Sequence, residues 1–181
     1  TIQMGDESGY LVTKDQPTKI AAMEAIWETH EAPAPLTLFA IPDEAAQTNH
    51  AQIDVPWLFG LMGTRSLSTE IPGIKELTAQ AEQRIVNGQK AIGVLEQLRK
   101  DPANEQLREQ FLAVRDDLGF GLLLKRYTND VNAATPEMIK QAAADTIPSV
   151  TPMFWSFRIM VGSGLAMALS LIHISEPTRL R

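Results

Sequence analysis

The most informative absence in this 181-residue chain is cysteine. Without a thiol the chain forms no disulfide, offers no thiolate nucleophile and builds no cysteine-based metal site. Basic residues are also few, since 16 Lys and Arg stand against 22 Asp and Glu and leave a net charge of -6. We therefore expect no nucleic-acid partner, because such proteins need a basic surface to meet phosphate groups. Internal repeats and low-complexity tracts are missing as well.

The chain does contain one long apolar run, which covers residues 150–172 and carries a single charge at Arg158. About 20 apolar residues are enough to cross a bilayer as a helix. Aromatic residues crowd its beginning, as they do at a membrane interface. The run predicts the start of a transmembrane helix, and a soluble helical bundle does not account for it.

The last residues, 173–181, have the sequence HISEPTRLR, which no longer follows the apolar pattern. The ending resembles translated sequencing-adapter read-through, and we expect it to be a non-native tail. A genuine basic juxtamembrane tail is the alternative.

The middle of the chain has the period of amphipathic helices. One apolar stripe runs from Ile74 to Lys100, and a second helix is predicted from about Glu105 to Leu118, so that 74–118 forms a helical hairpin. A third helix is predicted to begin at Thr135 and Pro136. Residues 31–50 are punctuated by proline and predict irregular structure. For residues 1–14 we expect the end of an upstream membrane segment and a turn at Gly9. The predicted fold class is therefore all-α, as a fragment of a polytopic helical membrane protein.

The segment DQPTKIAAMEAIWETH, residues 15–30, predicts a helix with Asp15 as its N-cap. Glu24 lies among apolar neighbours there, and a poorly solvated carboxylate has a raised pKa and is suited to accept a proton. A solvated Lys19 and Glu24 on a half-buried helix is the alternative, and spacing alone does not exclude it.

Two residues of the apolar run suggest further chemistry. Arg158 is costly inside a membrane span, which points either to pairing with an acidic group or to snorkelling towards the interface. Met160 is either ordinary apolar packing or a thioether ligand of haem iron. The spacing of the two residues does not decide between these alternatives.

Six blocks of sequence, in one order, carry a resemblance to a known family: GDESGY, TKIAAMEAIWET, PAPLTLFAIPD, IPGIKEL, LGFGLLLKRYT and FRIMV. Together they closely resemble subunit I of cytochrome bd, the bacterial quinol oxidase, over roughly residues 5–170. The resemblance implies that residues 15–149 form the quinol loop outside the cytoplasm, with the hairpin of the long-loop form. It also implies that residues 150–172 begin the next transmembrane helix.

The resemblance also implies roles for single residues. Lys19 and Glu24 match the family's residues for quinol binding and oxidation, and Asp6 is a weaker candidate for the same site. Met160 matches the axial ligand of the low-spin haem b iron, and Arg158 matches an arginine close to that haem. These positions are the expected catalytic, quinol-binding, haem-proximal and metal-ligating residues.

The function implied is that of a multi-pass enzyme of the bacterial cytoplasmic membrane. It oxidises ubiquinol or menaquinol at the outer face and reduces dioxygen to water, using the low-spin haem b, a second haem b and haem d. Subunit II, a small accessory subunit and membrane lipid are the implied partners, and the fragment alone should be inactive. A non-catalytic, membrane-tethered helical module that binds a partner is the alternative function.

Overall fold

The structure, a computed structural model, describes residues 2–175 and divides into two compact units. The first unit comprises the described residues of Thr1–Pro72 and Pro148–Arg181, and the second comprises Gly73–Ile147. Helix is the main secondary structure, but the first unit also holds an antiparallel pair of strands. The prediction of an all-α fold is wrong at that point. Residues 176–181, two-thirds of the expected tail, lie outside the described residues.

The first unit begins with helix α1 (Ile2–Asp15), which runs through Gly9 without the predicted turn. One glycine lowers helix stability by only about 1 kcal/mol, which the rest of a helix of this length tolerates. Helix α2 (Pro17–Glu24) follows, with Pro17 in its first turn as predicted. Its N-cap position is Gln16, not the predicted Asp15, which is the last residue of α1.

Helix α2 ends at Glu24 and does not continue to His30 as predicted. Ala25 adopts a left-handed conformation with φ 51°, and its N–H donates to Ala22 O, while Ile26 N–H donates to Ala21 O over 2.8 Å. These two hydrogen bonds are those of a Schellman C-cap. The reversal turns Ile26 and Trp27 inward, where they are 2% and 7% exposed. Their burial offsets the cost of a left-handed alanine.

Strands β1 (Leu36–Asp43) and β2 (Thr48–Val55) form an antiparallel hairpin where irregular structure was predicted. The register shifts twice along β1, so its buried residues do not alternate with exposed ones. At the turn, Asp43 Oδ1 accepts hydrogen bonds from the backbone N–H groups of Ala45 and Ala46. A short side chain that closes such a turn is typical of aspartate.

The connection after β2 packs on its own unit. Phe59 is 7% exposed, whereas Trp57 remains half exposed at 52%. A short π-helical turn, Gly60–Thr64, follows, and Ile71 pairs with His30 through two backbone hydrogen bonds. This segment is therefore packed on the first unit.

The second unit is built on α3 (Ile74–Lys100), whose ends coincide with the predicted ones. Helix α4 (Glu105–Val114) packs back against α3, and its N-cap is Asn104, whose side chain accepts a hydrogen bond from Leu107 N–H. Helix α5 (Leu118–Leu122) follows a 3-10 turn, so the predicted second helix is interrupted at Arg115–Asp117. Helix α6 (Pro136–Ala144) begins at the predicted place, with Thr135 as its cap. A small buried cluster joins α3 and α6 with two 3-10 turns between them: Ala81, Ile85, Leu124, Val131, Ala142 and Ala143.

Helix α7 (Val150–Ser175) belongs to the first unit and has two distinct parts. Its beginning is packed on that unit, with Val150 3% and Phe154 0% exposed. From Ile159 onward its large apolar side chains are 43–68% exposed. Among the described residues, Val150–Ile174 is the helix long and apolar enough to cross a membrane. The exposed part needs an apolar environment that the described residues do not supply.

Candidate functional site

Glu24 is the buried charged residue at the end of α2. It is 3% exposed, and it occupies the last helical position before the left-handed Ala25. Helix carbonyls concentrate partial negative charge at this end, which is unfavourable for a carboxylate. Buried carboxylates are rare unless a cation or several donors compensate them. The sequence prediction that Glu24 is poorly solvated is confirmed.

Arg158 of α7 supplies that compensation. Its Nη2 donates to Glu24 Oε2 over 2.9 Å and also to the backbone oxygen of Thr37 in β1. Its Nη1 donates to Met23 O over 2.6 Å. The guanidinium carbon also lies 3.5 Å from the centre of the Phe154 ring, which is a cation–π contact. One side chain therefore joins α2, β1 and α7.

The surroundings of Glu24 set its protonation. Burial raises the pKa of Glu24 from 4.5 to about 7, and the charge and hydrogen bond of Arg158 lower it in part. A carboxyl group with this pKa changes its protonation state near neutral pH. This property suits a group that accepts and releases protons.

Lys19 lies on a different side of α2 from Glu24. Its side chain is exposed, and no ion pair joins it to Glu24 among residues 2–175. The difference follows from helix geometry, because five residues correspond to about 140° around the axis. A ligand that met both side chains would have to lie along one edge of α2.

Asp6 is held by an arginine that the sequence analysis did not single out. Arg65 Nη2 donates to Asp6 Oδ2 over 2.6 Å and to Glu7 Oε2 over 2.8 Å. The same guanidinium lies 4.5 Å from the centre of the Tyr10 ring. Asp6 is thus not brought together with Glu24 through any contact among the described residues.

Two open cavities of the first unit lie beside these residues. One, of about 280 Å³, is lined by residues of α1, the start of α2 and the segment 63–72. The other, of about 220 Å³, is polar and is lined by Trp27, His30 and Asn49 among others. Neither cavity is lined by Lys19 or Glu24.

Met160 fits the role of a haem ligand that the resemblance implies. Its side chain is 62% exposed on α7, so the thioether is accessible to a group beside the helix. Arg158 Nε is buried and has no acceptor among the described residues, which leaves a donor for an anionic group such as a propionate. The two residues lie about 200° apart around α7, so a haem held by Met160 would meet Arg158 only across the edge of the helix.

Two hydrogen-bond partners of Arg158 were not predicted from the sequence. Thr37, 3% exposed, and the carbonyl of Met23 take part through backbone oxygens, and any residue type carries such an oxygen. Only a correct prediction of strand β1 would have drawn attention to Thr37. The pairing of Glu24 with Arg158 spans 134 positions and leaves no local pattern.

Comparisons with known proteins point to one family. The family model described as "Cytochrome bd terminal oxidase subunit I" matches residues 1–176. The chain is 38% identical over 180 residues to "Cytochrome bd-II ubiquinol oxidase subunit 1" of Escherichia coli (strain K12), covering 99% of this chain and 35% of that protein. It is 25% identical over 159 residues to "Cytochrome bd ubiquinol oxidase subunit 1" of Bacillus subtilis (strain 168), covering 88% of this chain and 22% of that protein.

The chain thus spans about a third or less of the length of these relatives. The family match nevertheless covers nearly every residue, including both helices that hold the Glu24–Arg158 pair. The chain belongs to the cytochrome bd terminal oxidase subunit I family.

Proposed function

We propose that this chain is the quinol-oxidising part of a terminal respiratory oxidase of the bacterial cytoplasmic membrane. In the complete complex, quinol is oxidised at the outer face and the electrons pass through haems to reduce dioxygen to water. Family membership and the apolar helix α7 support this proposal. The chain by itself is inactive, because most of the relatives' length lies outside it.

The buried Glu24 is the observation that carries the proposal. Oxidation of a quinol releases two electrons and two protons, so the site needs a base that is ionised often enough to accept a proton and neutral often enough to hold it. With its pKa at about 7, Glu24 meets both conditions. A partner-binding module without catalysis would account for the Glu24–Arg158 pair as a structural contact, but it would give no use to a carboxyl group with a pKa of about 7.

Lys19 and Asp6 complete the proposed quinol site. The exposed ammonium of Lys19 donates a hydrogen bond to a ring oxygen of ubiquinol or menaquinol that lies at the edge of α2. Asp6 takes part more weakly, because Arg65 already neutralises it. Quinol is then bound by Lys19 and deprotonated by Glu24.

Met160 is proposed as an axial ligand of the low-spin haem b iron, with Arg158 beside that haem. When bound, this haem would supply a one-electron acceptor close to the quinol. The exposed thioether and the unpartnered Arg158 Nε support this assignment. A second haem b, haem d, subunit II and the small accessory subunit belong to the rest of the complex.

The first experiment replaces Glu24 with glutamine in the complete oxidase. Glutamine keeps the shape of the side chain but cannot accept the proton, so oxygen uptake driven by a soluble quinol should fall by about 100-fold or more, within the usual range for a general base. Haem content, read from a reduced-minus-oxidised spectrum, should stay the same. Normal turnover in Glu24→Gln would remove Glu24 from the mechanism.

The second experiment replaces Met160 with leucine, which nearly conserves volume and apolarity. Because only the sulfur is lost, helix α7 should still insert while the low-spin haem b absorbance disappears or becomes high-spin. Ile159→Leu, on the adjacent exposed position, is the matched control and should keep the spectrum. A full low-spin signal in Met160→Leu would place the ligand elsewhere.

A further inference from the structure

We infer that Arg158 is a positioning residue for quinol oxidation, which acts by holding the carboxylate of Glu24 and the end of α2 against α7. The inference rests on the proposed function of Glu24. It assigns to Arg158 a task on the quinol side of the site, separate from its place beside the haem.

The geometry of the guanidinium supports this task. Its two terminal nitrogens reach acceptors on α2 and on β1, and the planar group lies against the face of Phe154. A planar fork with fixed donor directions is well suited to hold several acceptors at once. Arg158 is also itself largely buried, with a side-chain exposure of 14% against 4% for Glu24. Neither group is free to move without breaking contacts of the other.

The acceptor on α2 shows why the helix end depends on Arg158. The Schellman hydrogen bonds satisfy Ala21 O and Ala22 O, but Met23 O is left without an intrahelical donor. Arg158 Nη1 fills that place. A cation at a helix C-terminus also interacts favourably with the helix dipole. The position of Glu24, one residue later, is therefore fixed from both its backbone and its side chain.

Arg158 also controls the charge that Glu24 carries. Around the carboxylate, α7 contributes Arg158, and β1 contributes no charged side chain before Asp43 at its far end. On α2, Lys19 is exposed on another side, and on α1 Asp6 and Glu7 are paired with Arg65. Lys14 and Asp15 lie at the end of α1 and are exposed. Without the guanidinium, burial alone would hold Glu24 protonated at neutral pH, where it cannot accept a proton from quinol.

The test uses the complete oxidase carrying Arg158→Gln, Arg158→Lys, Glu24→Gln and the double variant Glu24→Gln/Arg158→Gln. The readout is the pH profile of kcat/KM with a soluble quinol, because its acid limb reports the ionisation of Glu24 in the free enzyme. Arg158→Gln should move that limb to higher pH by about one unit or more, since the compensating charge is lost. Arg158→Lys keeps the charge and should move it less. Arg108→Gln, on the exposed face of α4, is the control and should leave it in place.

The double variant distinguishes a task of Arg158 at Glu24 from a task of Arg158 beside the haem. If Arg158 acts through Glu24, adding Arg158→Gln to Glu24→Gln should lower kcat/KM by less than about twofold further, because coupled residues are not additive. An equal loss with and without Glu24, or an unmoved acid limb in Arg158→Gln, would overturn the inference. If Arg158→Gln fails to assemble with haem, the limb in Arg158→Lys decides, and an unmoved limb with normal kcat/KM there counts against the inference. Normal kinetics in Glu24→Gln alone would instead refute the proposed function.

Discussion

Replacing Gly88 with alanine should loosen the second unit, because α3 and α5 touch through their backbones at this point. A Cβ atom at Gly88 would lie 2.3 Å from Gly121 N and 2.4 Å from Asp117 O. A Cβ atom added at Gly121 would in turn lie 2.4 Å from Gly88 C. These neighbours are main-chain atoms, which cannot rotate away as a side chain could. The two helices would have to move apart.

The size of the effect follows from these distances. Carbon atoms in good contact are about 3.5–4.0 Å apart, so α3 and α5 must separate by roughly 1 Å. Overpacking of this kind costs about 1–3 kcal/mol, and the rigid backbone places Gly88 at the upper end of that range. Alanine returns about 1 kcal/mol through its better helix propensity. We therefore expect a net loss of about 2 kcal/mol in the stability of this unit, or roughly 30-fold more of the open form.

Limited proteolysis of the complete oxidase under native conditions measures this opening, because cleavage follows the population of the open form when closing is fast. Cutting within Gly73–Ile147 should be roughly 30-fold faster in Gly88→Ala than in the wild type. Gly119→Ala is the matched control on α5, since its Cβ meets nothing within 4 Å. Equal protease resistance of Gly88→Ala and the wild type would refute the reasoning, as would equal damage from Gly119→Ala.

Three further predictions concern the first unit. Lys19→Met should raise the apparent KM for a soluble quinol while kcat changes by less than about twofold, as expected for a residue that only binds the substrate. Steady-state oxygen uptake tests this prediction. An unchanged KM would mean that Lys19 is only a solvated surface residue. Asn49→Ala should lower the temperature of thermal inactivation, because the part-buried indole N–H of Trp27 loses its 2.8 Å acceptor and Ala25 O loses its donor, Asn49 Nδ2, at a cost of about 1–3 kcal/mol for each unsatisfied group. An unchanged inactivation temperature would contradict this role. In a background without other cysteines, Ser156→Cys should react about ten times faster than Val161→Cys with a membrane-impermeant maleimide, because a thiol forms its reactive thiolate only where water reaches it. Equal rates would contradict a membrane boundary near Arg158.

Sequence periodicity predicted the second unit well, because its helices are long and amphipathic. The apolar stripe of α3 includes Ile74, Leu77, Ala81 and Ile85, all of which are buried. The capping Thr135 marked the start of α6. What periodicity could not predict is the contact of Gly88 with Gly121. A glycine in a helix looks like a small local weakness until its neighbour in space is known.

The first unit was harder to predict, because tertiary contacts override local preferences there. Strand β1 does not alternate, since its two register shifts change which face each residue occupies. The early end of α2 falls on Ala25, a residue type that rarely adopts the left-handed conformation. Burial of Ile26 and Trp27 offsets the energetic cost of that conformation, and this burial depends on residues distant in sequence.

The resemblance implied which residues belong to the candidate site, but it did not indicate the contacts between them. The resemblance named Lys19, Glu24, Arg158 and Met160 as quinol and haem residues. It placed Arg158 close to the haem, whereas in the structure Arg158 pairs with Glu24 and also donates to Met23 O and Thr37 O. No local pattern indicates that contact, since it joins α2 to the start of α7.

The contact explains why a carboxylate belongs among the apolar residues of α2. A fully exposed glutamate would be ionised at every physiological pH and could not hold a proton. A buried glutamate without a cation would be neutral and could not accept one. Burial and Arg158 act in opposite directions on the pKa of Glu24 and leave it at about 7. Both opposing effects come from a single arrangement, the packing of α2 against the first turns of α7, so this packing determines whether Glu24 can both take up and release a proton.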